Sequence, residues 1–162
     1  FTLYANAANG GAGFDARQLR ADEVAGLPEM DRYLLARTRR LVLAAEKSLN
    51  EFAISDACDA VSDFIDVLTN WYIRNTRDRF WNEDASAFNT LYTVLESTAR
   101  LVAPFVPFIA EEIYRNIVCS VDASAPESVH LTSFPTADEN YIDSALERGM
   151  AIAEEAAESG GR

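Results

Sequence analysis

The chain has 162 residues, 49% of them hydrophobic and 25% charged, and carries a formal net charge of −12. That length makes one domain, burying about two thirds of the surface its unfolded form exposes, with no need of a disulfide or metal. With only 7 Gly and 5 Pro, the composition suits helices more than strands. The acidity argues against a dedicated nucleic-acid binder of the usual basic kind, while leaving room for a local cationic face. Cys58 and Cys119 have no Cys or His at ligand spacing, which points to a reducing compartment without structural zinc. No apolar run reaches the roughly 20 residues of a membrane span. FTLYANAANG lacks the cationic start of a signal peptide, so a cytoplasmic protein is expected. Phe1 without an initiating Met, and ESGGR directly after a helical pattern, predict a segment of a longer chain.

In chain order, residues 1–8 read as the tail of a helix. Residues 9–28, with their glycine cluster and no sustained apolar period, read as a connection ahead of a domain spanning 29–162. Pro28, Glu29 and Asp31 mark a helix start. From there to about Asn50, Leu34, Thr38, Leu41, Ala45 and Leu49 form one apolar stripe. A second helix, capped by Ser55 or Asp56, presents Cys58, Val61, Phe64, Ile65, Leu68, Trp71 and Tyr72; if it reaches Trp81 it is roughly 40 Å long. The third begins near Asp84 or Ser86 and turns Phe88, Leu91, Leu95, Ala99 and Val102 inward until Pro104 stops it. Pro107 opens a fourth, with Phe108, Ile109, Ile113 and Ile117 inward. A long connection over 119–137 precedes a fifth, about Glu139 to Glu158, with a weak face of Ile142, Leu146, Met150 and Ala153. The expected fold is all-α, an antiparallel bundle of about five helices.

Parts for catalysis are scarce. His130 is the only histidine, and its VHL neighbourhood reads as half buried, so no Ser-His or Cys-His pair suggests itself. NGGAG neither follows a strand nor precedes Lys-Ser or Lys-Thr, which excludes a phosphate loop and a dinucleotide fingerprint. The aspartates of the second helix lack the Glu-x-x-His partners of metal-binding bundles and read as a solvated face.

The stretch NWYIRNTRDRFW stands apart, gathering three arginines within six residues between two tryptophans. On a helix, Asp59, Asp63, Asp66, Asn70, Arg74 and Arg77 follow at steps of three or four, an anionic half giving way to a cationic one. Helix-dipole complementation explains part of this, and Asp78 stands four residues after Arg74. Arg79 lies off the stripe, however, so the guanidinium groups surround the helix end and offer the planar donors that suit phosphates. Arg74, Arg77 and Arg79 are expected to point outward to an RNA backbone, with Trp81 and Asn70 beside them. Trp71 is expected in the core, and Arg37, Arg39 and Arg40 form a second basic patch.

The runs LTNWYIRNTRDRFW, LYTVLESTARLVAPFVPFIAEEIY and VHLTSFP, with MDRYLLARTRRLV and FTLYAN upstream, strongly resemble the anticodon-binding domain of the isoleucyl-tRNA synthetase family. APFxPFxAEEIY alone identifies only the group shared with the valyl and leucyl enzymes; NWYIR with RDRFW points to isoleucine. The resemblance implies a helical bundle lying along the anticodon stem and loop of transfer RNA. It implies no catalytic site, metal or cofactor in this segment, because the ATP- and magnesium-dependent aminoacylation site and the editing site belong to other domains of a parent chain. Asn75 departs from the pattern, since many members carry an arginine there, and the acidic Glu154, Glu155 and Glu158 are expected to face away from a polyanion. The alternatives are the same domain of a valyl or leucyl enzyme and a helical protein-interaction scaffold.

Overall fold

A computed structural model describes residues 1–159. Among the described residues every regular element is helical. The first, α1 (Thr2–Gly11), unwinds where Ala8 turns extended (ψ 158). Asn9, Gly10, Gly11 and Gly13 then take positive φ of 54, 68, 94 and 95. Glycine and asparagine enter that left-handed region at least cost, so NGGAG is a chain reversal. The Asn9 backbone N–H donates to the Glu83 carboxylate at 2.8 Å, and the connection is then pinned along its length. Arg17 N–H donates to Asn89 Oδ1 at 3.0 Å and Leu19 N–H to Thr93 Oγ1 at 2.9 Å.

The bundle proper starts at α2 (Glu29–Asn50), which buries Leu34, Leu35, Thr38, Leu41, Val42 and Ala45 and packs against most of the other helices. Its partner is a continuous rod over residues 54–81: α3 (Ile54–Asp66), a π-helical turn (Val67–Ile73) and α4 (Arg74–Trp81). The rod buries Phe64, Leu68, Tyr72, Thr76 and Phe80, a strict four-residue spacing. In a pure α-helix such a row drifts by about 40° every four residues. The wider π turn takes back part of that drift and keeps the row on one face. Side chains satisfy carbonyls around the turn: Thr69 Oγ1 donates to Ile65 O at 2.8 Å, and Asn75 Nδ2 to Trp71 O and Thr76 Oγ1 to Tyr72 O, each at 2.7 Å.

Next comes α5 (Ala85–Val102), whose first turn is capped by the Asp84 carboxylate, accepting from Ser86 N–H at 2.9 Å. Pro107 stands at the start of α6 (Pro107–Tyr114), which runs into a second π turn, Arg115–Cys119. The connection that follows is tied to α6 through Glu111, which accepts from Ser128 Oγ at 2.8 Å and Val129 N–H at 3.0 Å. Finally α7 (Ser144–Ser159) returns to α2. Two ion pairs hold it there, Arg32 to Asp143 at 2.7 Å and Arg40 to Glu147 at 2.6 Å.

The five expected helices are therefore α2, the rod, α5, α6 and α7, with these differences. Phe108 and Ile109, expected inside, are 89% and 61% exposed. With Pro107 opening α6, Ala110 and Tyr114 face the core instead. Cys58 and Ile65 face out, since Ala57, Phe64 and Leu68 supply the rod's buried side. Neither Ser55 nor Asp56 caps α3, whose N-cap is Ala53 after a turn with Phe52 at φ 59. The last helix begins later than expected, a 3-10 turn (Glu139–Tyr141) preceding an extended Ile142. His130 is exposed. Glu154, Glu155 and Glu158 lie outside the described side chains.

Candidate nucleic-acid interface

Arg79 decides how the arginine-rich end of the rod is built. Its guanidinium grips Asp31 of α2 with both ends, Nη1 to Oδ1 at 2.8 Å and Nη2 to Oδ2 at 2.7 Å. Its Nε donates to Asp84 at 2.8 Å and its Nη2 to Ser86 Oγ at 2.8 Å. Tyr72 completes the cluster, its hydroxyl donating to Asp31 Oδ1 at 2.7 Å. Asp31 is 0% exposed, so its charge depends on these donors. The hydrogen bonds to Asp31 hold the Arg79 guanidinium above its usual basicity, and burial ahead of the Asp31 charge raises the Tyr72 phenol. The expectation that Arg79 faces RNA is thus corrected: at residue 79 the rod turns toward α2, and the side chain ties α2, α4 and the start of α5 together.

Asp31 escaped the sequence reading as a functional position. Its signal was its phase, three and seven residues ahead of Leu34 and Thr38 on the buried stripe of α2. A carboxylate on such a stripe requires a cation from another helix.

Arg74 and Arg77 behave differently. Both are exposed, and neither has a hydrogen bond or ion pair among the described residues. The pairing of Arg74 with Asp78 does not form. Asn70, one turn earlier, is also exposed, so the polar stripe from Asp59 to Arg77 reaches solvent along its whole length. Asn75, which takes the place of an arginine in the resembling pattern, folds its amide back on the Trp71 carbonyl. Trp81 is 56% exposed and meets Tyr4 of α1 edge to face, centroids 5.0 Å apart. That contact anchors one side of the indole and leaves the rest open. Trp71 is half-buried rather than core, its Nε1 enclosed without a partner, because Tyr72 takes the inward position.

The second basic group is only partly free: Arg40 keeps 60% of its side chain exposed. Arg40 is spent on Glu147. Arg37 donates to the Tyr33 hydroxyl at 3.0 Å and lies 5.8 Å from the centre of that ring. Arg39 is half-buried with its Nε enclosed. Of the three, Arg40 is engaged by Glu147 of α7. Among the described residues no group of three His, Cys, Asp or Glu side chains is placed to hold a metal ion, and no helix is long and apolar enough to cross a membrane.

The helical bundle carries two outward, unpaired arginines near the end of its long rod, and comparison with known proteins gives its family. Residues 31–162 match the family model described as the anticodon-binding domain of tRNA ligase, and the chain belongs to that family. It is 71% identical over 157 residues to the isoleucine–tRNA ligase of Bifidobacterium longum, covering 97% of this chain and 14% of that protein. It is also similar to the isoleucine–tRNA ligase of Dehalococcoides mccartyi (44% over 131 residues, 78% of this chain, 13% of that protein). A third relative is that of Cutibacterium acnes (39% over 131 residues, 81% of this chain, 12% of that protein). The chain thus spans about an eighth to a seventh of the length of these relatives.

Proposed function

We propose that this domain grips the anticodon stem and loop of transfer RNA for an isoleucine–tRNA ligase, while other parts of that ligase bind ATP and magnesium and join isoleucine to the RNA. The observation that carries this reading is the pair of unpaired guanidinium groups at Arg74 and Arg77, one helical turn apart, on a domain of the anticodon-binding family. Arginine forks match phosphate oxygens in geometry as well as charge. Asn70 extends the face toward the sugar-phosphate backbone, and Trp81 offers its open ring edge or face to a base. Arg79 supports this surface from behind. The domain contributes grip and register and makes no bonds itself.

The test uses the complete ligase. Arg74→Gln and Arg77→Gln each raise the KM for transfer RNA by about tenfold, the worth of a charge-assisted hydrogen bond. Isoleucine-dependent pyrophosphate exchange stays unchanged in both. The logarithmic salt dependence of RNA binding flattens by about 0.7 to 0.9 for each phosphate that is no longer neutralised. An unchanged KM in the double variant, or loss of exchange in a variant that remains folded, overturns the reading.

A further inference from the structure

The turn joining α2 to α3 holds a residue that the fold does not use. The end of α2 closes with two hydrogen bonds, Phe52 N–H to Leu49 O at 3.2 Å and Ala53 N–H to Ser48 O at 2.8 Å. That pair marks a helix stop whose central residue is left-handed, a position glycine normally takes. Here Phe52 takes it, at φ 59. Among the described residues other than glycine, only Asn9 and Glu83 share a positive φ. Asparagine tolerates that region, and the Glu83 carboxylate holds the Asn9 N–H. Phe52 has no such local return. Its side chain is 89% exposed, so the ring adds almost nothing to the core while straining the backbone that carries it.

The surroundings narrow what such a ring can serve. On the flanking turns the exposed charges are Glu46, Glu51 and Asp56 against Lys47 alone, so a phosphate is repelled there. The face of a nucleobase carries no charge, and it stacks on a bare aromatic ring without needing a pocket. The domain belongs to an anticodon-binding family, and the bases of an RNA loop are unpaired and open to stacking.

The spacing agrees. From Ile54 to Arg74 the rod advances twenty residues, about 30 Å. About nine stacked nucleotides at about 3.4 Å each cover the same length, the reach of a short RNA stem with its loop. Between the two points Asp59, Asp63 and Asp66 are exposed, so a backbone held at Arg74 and Arg77 stands off the middle of the rod. A base turned out from the loop crosses that gap without bringing charge to it.

We propose that Phe52 is a stacking platform for an unpaired base of the RNA loop, at the opposite end of the rod from the phosphate grip. This rests on the RNA-gripping reading above and adds a base-directed contact to it. The left-handed turn keeps the ring off the helix pair and open to solvent.

The test uses the complete ligase for RNA and the 162-residue chain for stability. Phe52→Gly raises the KM for transfer RNA about tenfold, the contribution of one stacked base, with isoleucine-dependent pyrophosphate exchange unchanged. Phe52→Trp keeps the original KM because the aromatic plane is retained. Phe52→Leu behaves like the glycine variant, its side chain being apolar but not planar. In urea denaturation Phe52→Gly holds or raises the midpoint, since glycine adopts positive φ freely. Under irradiation, 5-iodouridine in the loop of a transfer-RNA stem-loop crosslinks to Phe52, and 5-iodouridine in the stem does not. A lowered midpoint gives Phe52 a structural role and overturns the proposal. A leucine variant with the original KM does the same, because it marks an apolar protein contact. If the Arg74→Gln, Arg77→Gln double variant raises KM and Phe52→Gly does not, the stacking contact falls and the RNA grip stands; if neither raises it, both fall.

Discussion

Three arginines within six residues have identical chemistry and different fates. Arg79 is committed to a carboxylate that has no access to water, whereas Arg74 and Arg77 have only water and each other's neighbourhood. The consequence is a separation of stability from binding. Arg79→Met strands the Asp31 charge in the interior with the Tyr72 hydroxyl as its remaining support, at a cost of about 3 kcal/mol in urea denaturation. Arg77→Met, at an exposed site, changes stability by less than about 0.5 kcal/mol. Converting Asp31 to Leu alongside Arg79→Met recovers much of the loss, since two apolar side chains leave no buried charge. Equal destabilisation by the two single variants would show that the Arg79 cluster is not the tie described above.

Among the elements, the rod is where sequence and structure differ in detail. A plain α period places the same residues on a polar stripe, and all six from Asp59 to Arg77 do reach solvent. The π turn is what reconciles that stripe with the four-residue row of Phe64, Leu68, Tyr72, Thr76 and Phe80. A π turn accommodates roughly one residue more than an α turn. Deleting exposed Thr69 therefore converts the turn to α geometry while Phe64 and Tyr72 keep their shared face, and the denaturation midpoint should move by no more than about 1 kcal/mol of stability. In an uninterrupted α-helix the same deletion rotates everything beyond it by about 100° and pulls Tyr72 and Arg79 away from Asp31. Helical circular dichroism and urea denaturation of the deletion variant distinguish these outcomes; collapse of the fold would rule out the bulge as an inserted residue. The outward turn of Phe108 and Ile109 has the same kind of cause: α6 is short, and with Pro107 at its start the two residues following fall on the outer side.

At the scale of the molecule, aromatic contacts fasten the N-terminal segment to the bundle. Phe14 stacks on Phe88 at 4.5 Å, Tyr4 on Phe80 at 5.5 Å, and Phe80 meets Phe88 edge to face at 5.3 Å. Each such pair contributes about 0.5 to 1.5 kcal/mol beyond its buried area. Tyr4 also braces Trp81, so the segment ahead of the bundle and the exposed end of α4 are mechanically joined. Against this cohesion stands a net charge of −12, which repels itself in the compact state. Raising ionic strength from about 0.01 M to 0.15 M shortens the screening length from about 30 to 8 Å. Thermal stability should rise over that range while affinity for a transfer-RNA stem-loop falls. Affinity that ignores salt would remove phosphate as the partner.

Helical class, the order of five main helices, the long rod and the polar stripe were legible because they depend on the 3.6-residue period and on capping and breaking residues close in sequence. So was the family resemblance, carried by runs such as NWYIRNTRDRFW. What the tertiary structure alone decided is which cations are free. Asp31 takes Arg79 from 48 residues away, and Glu147 takes Arg40 across a still longer loop. Local periodicity says which side of a helix a charge leaves from, but not which helix will lie there. Ion pairing between distant segments is set by packing, so the reduction of three candidate arginines to two emerged only when α2, α4 and α5 were brought together.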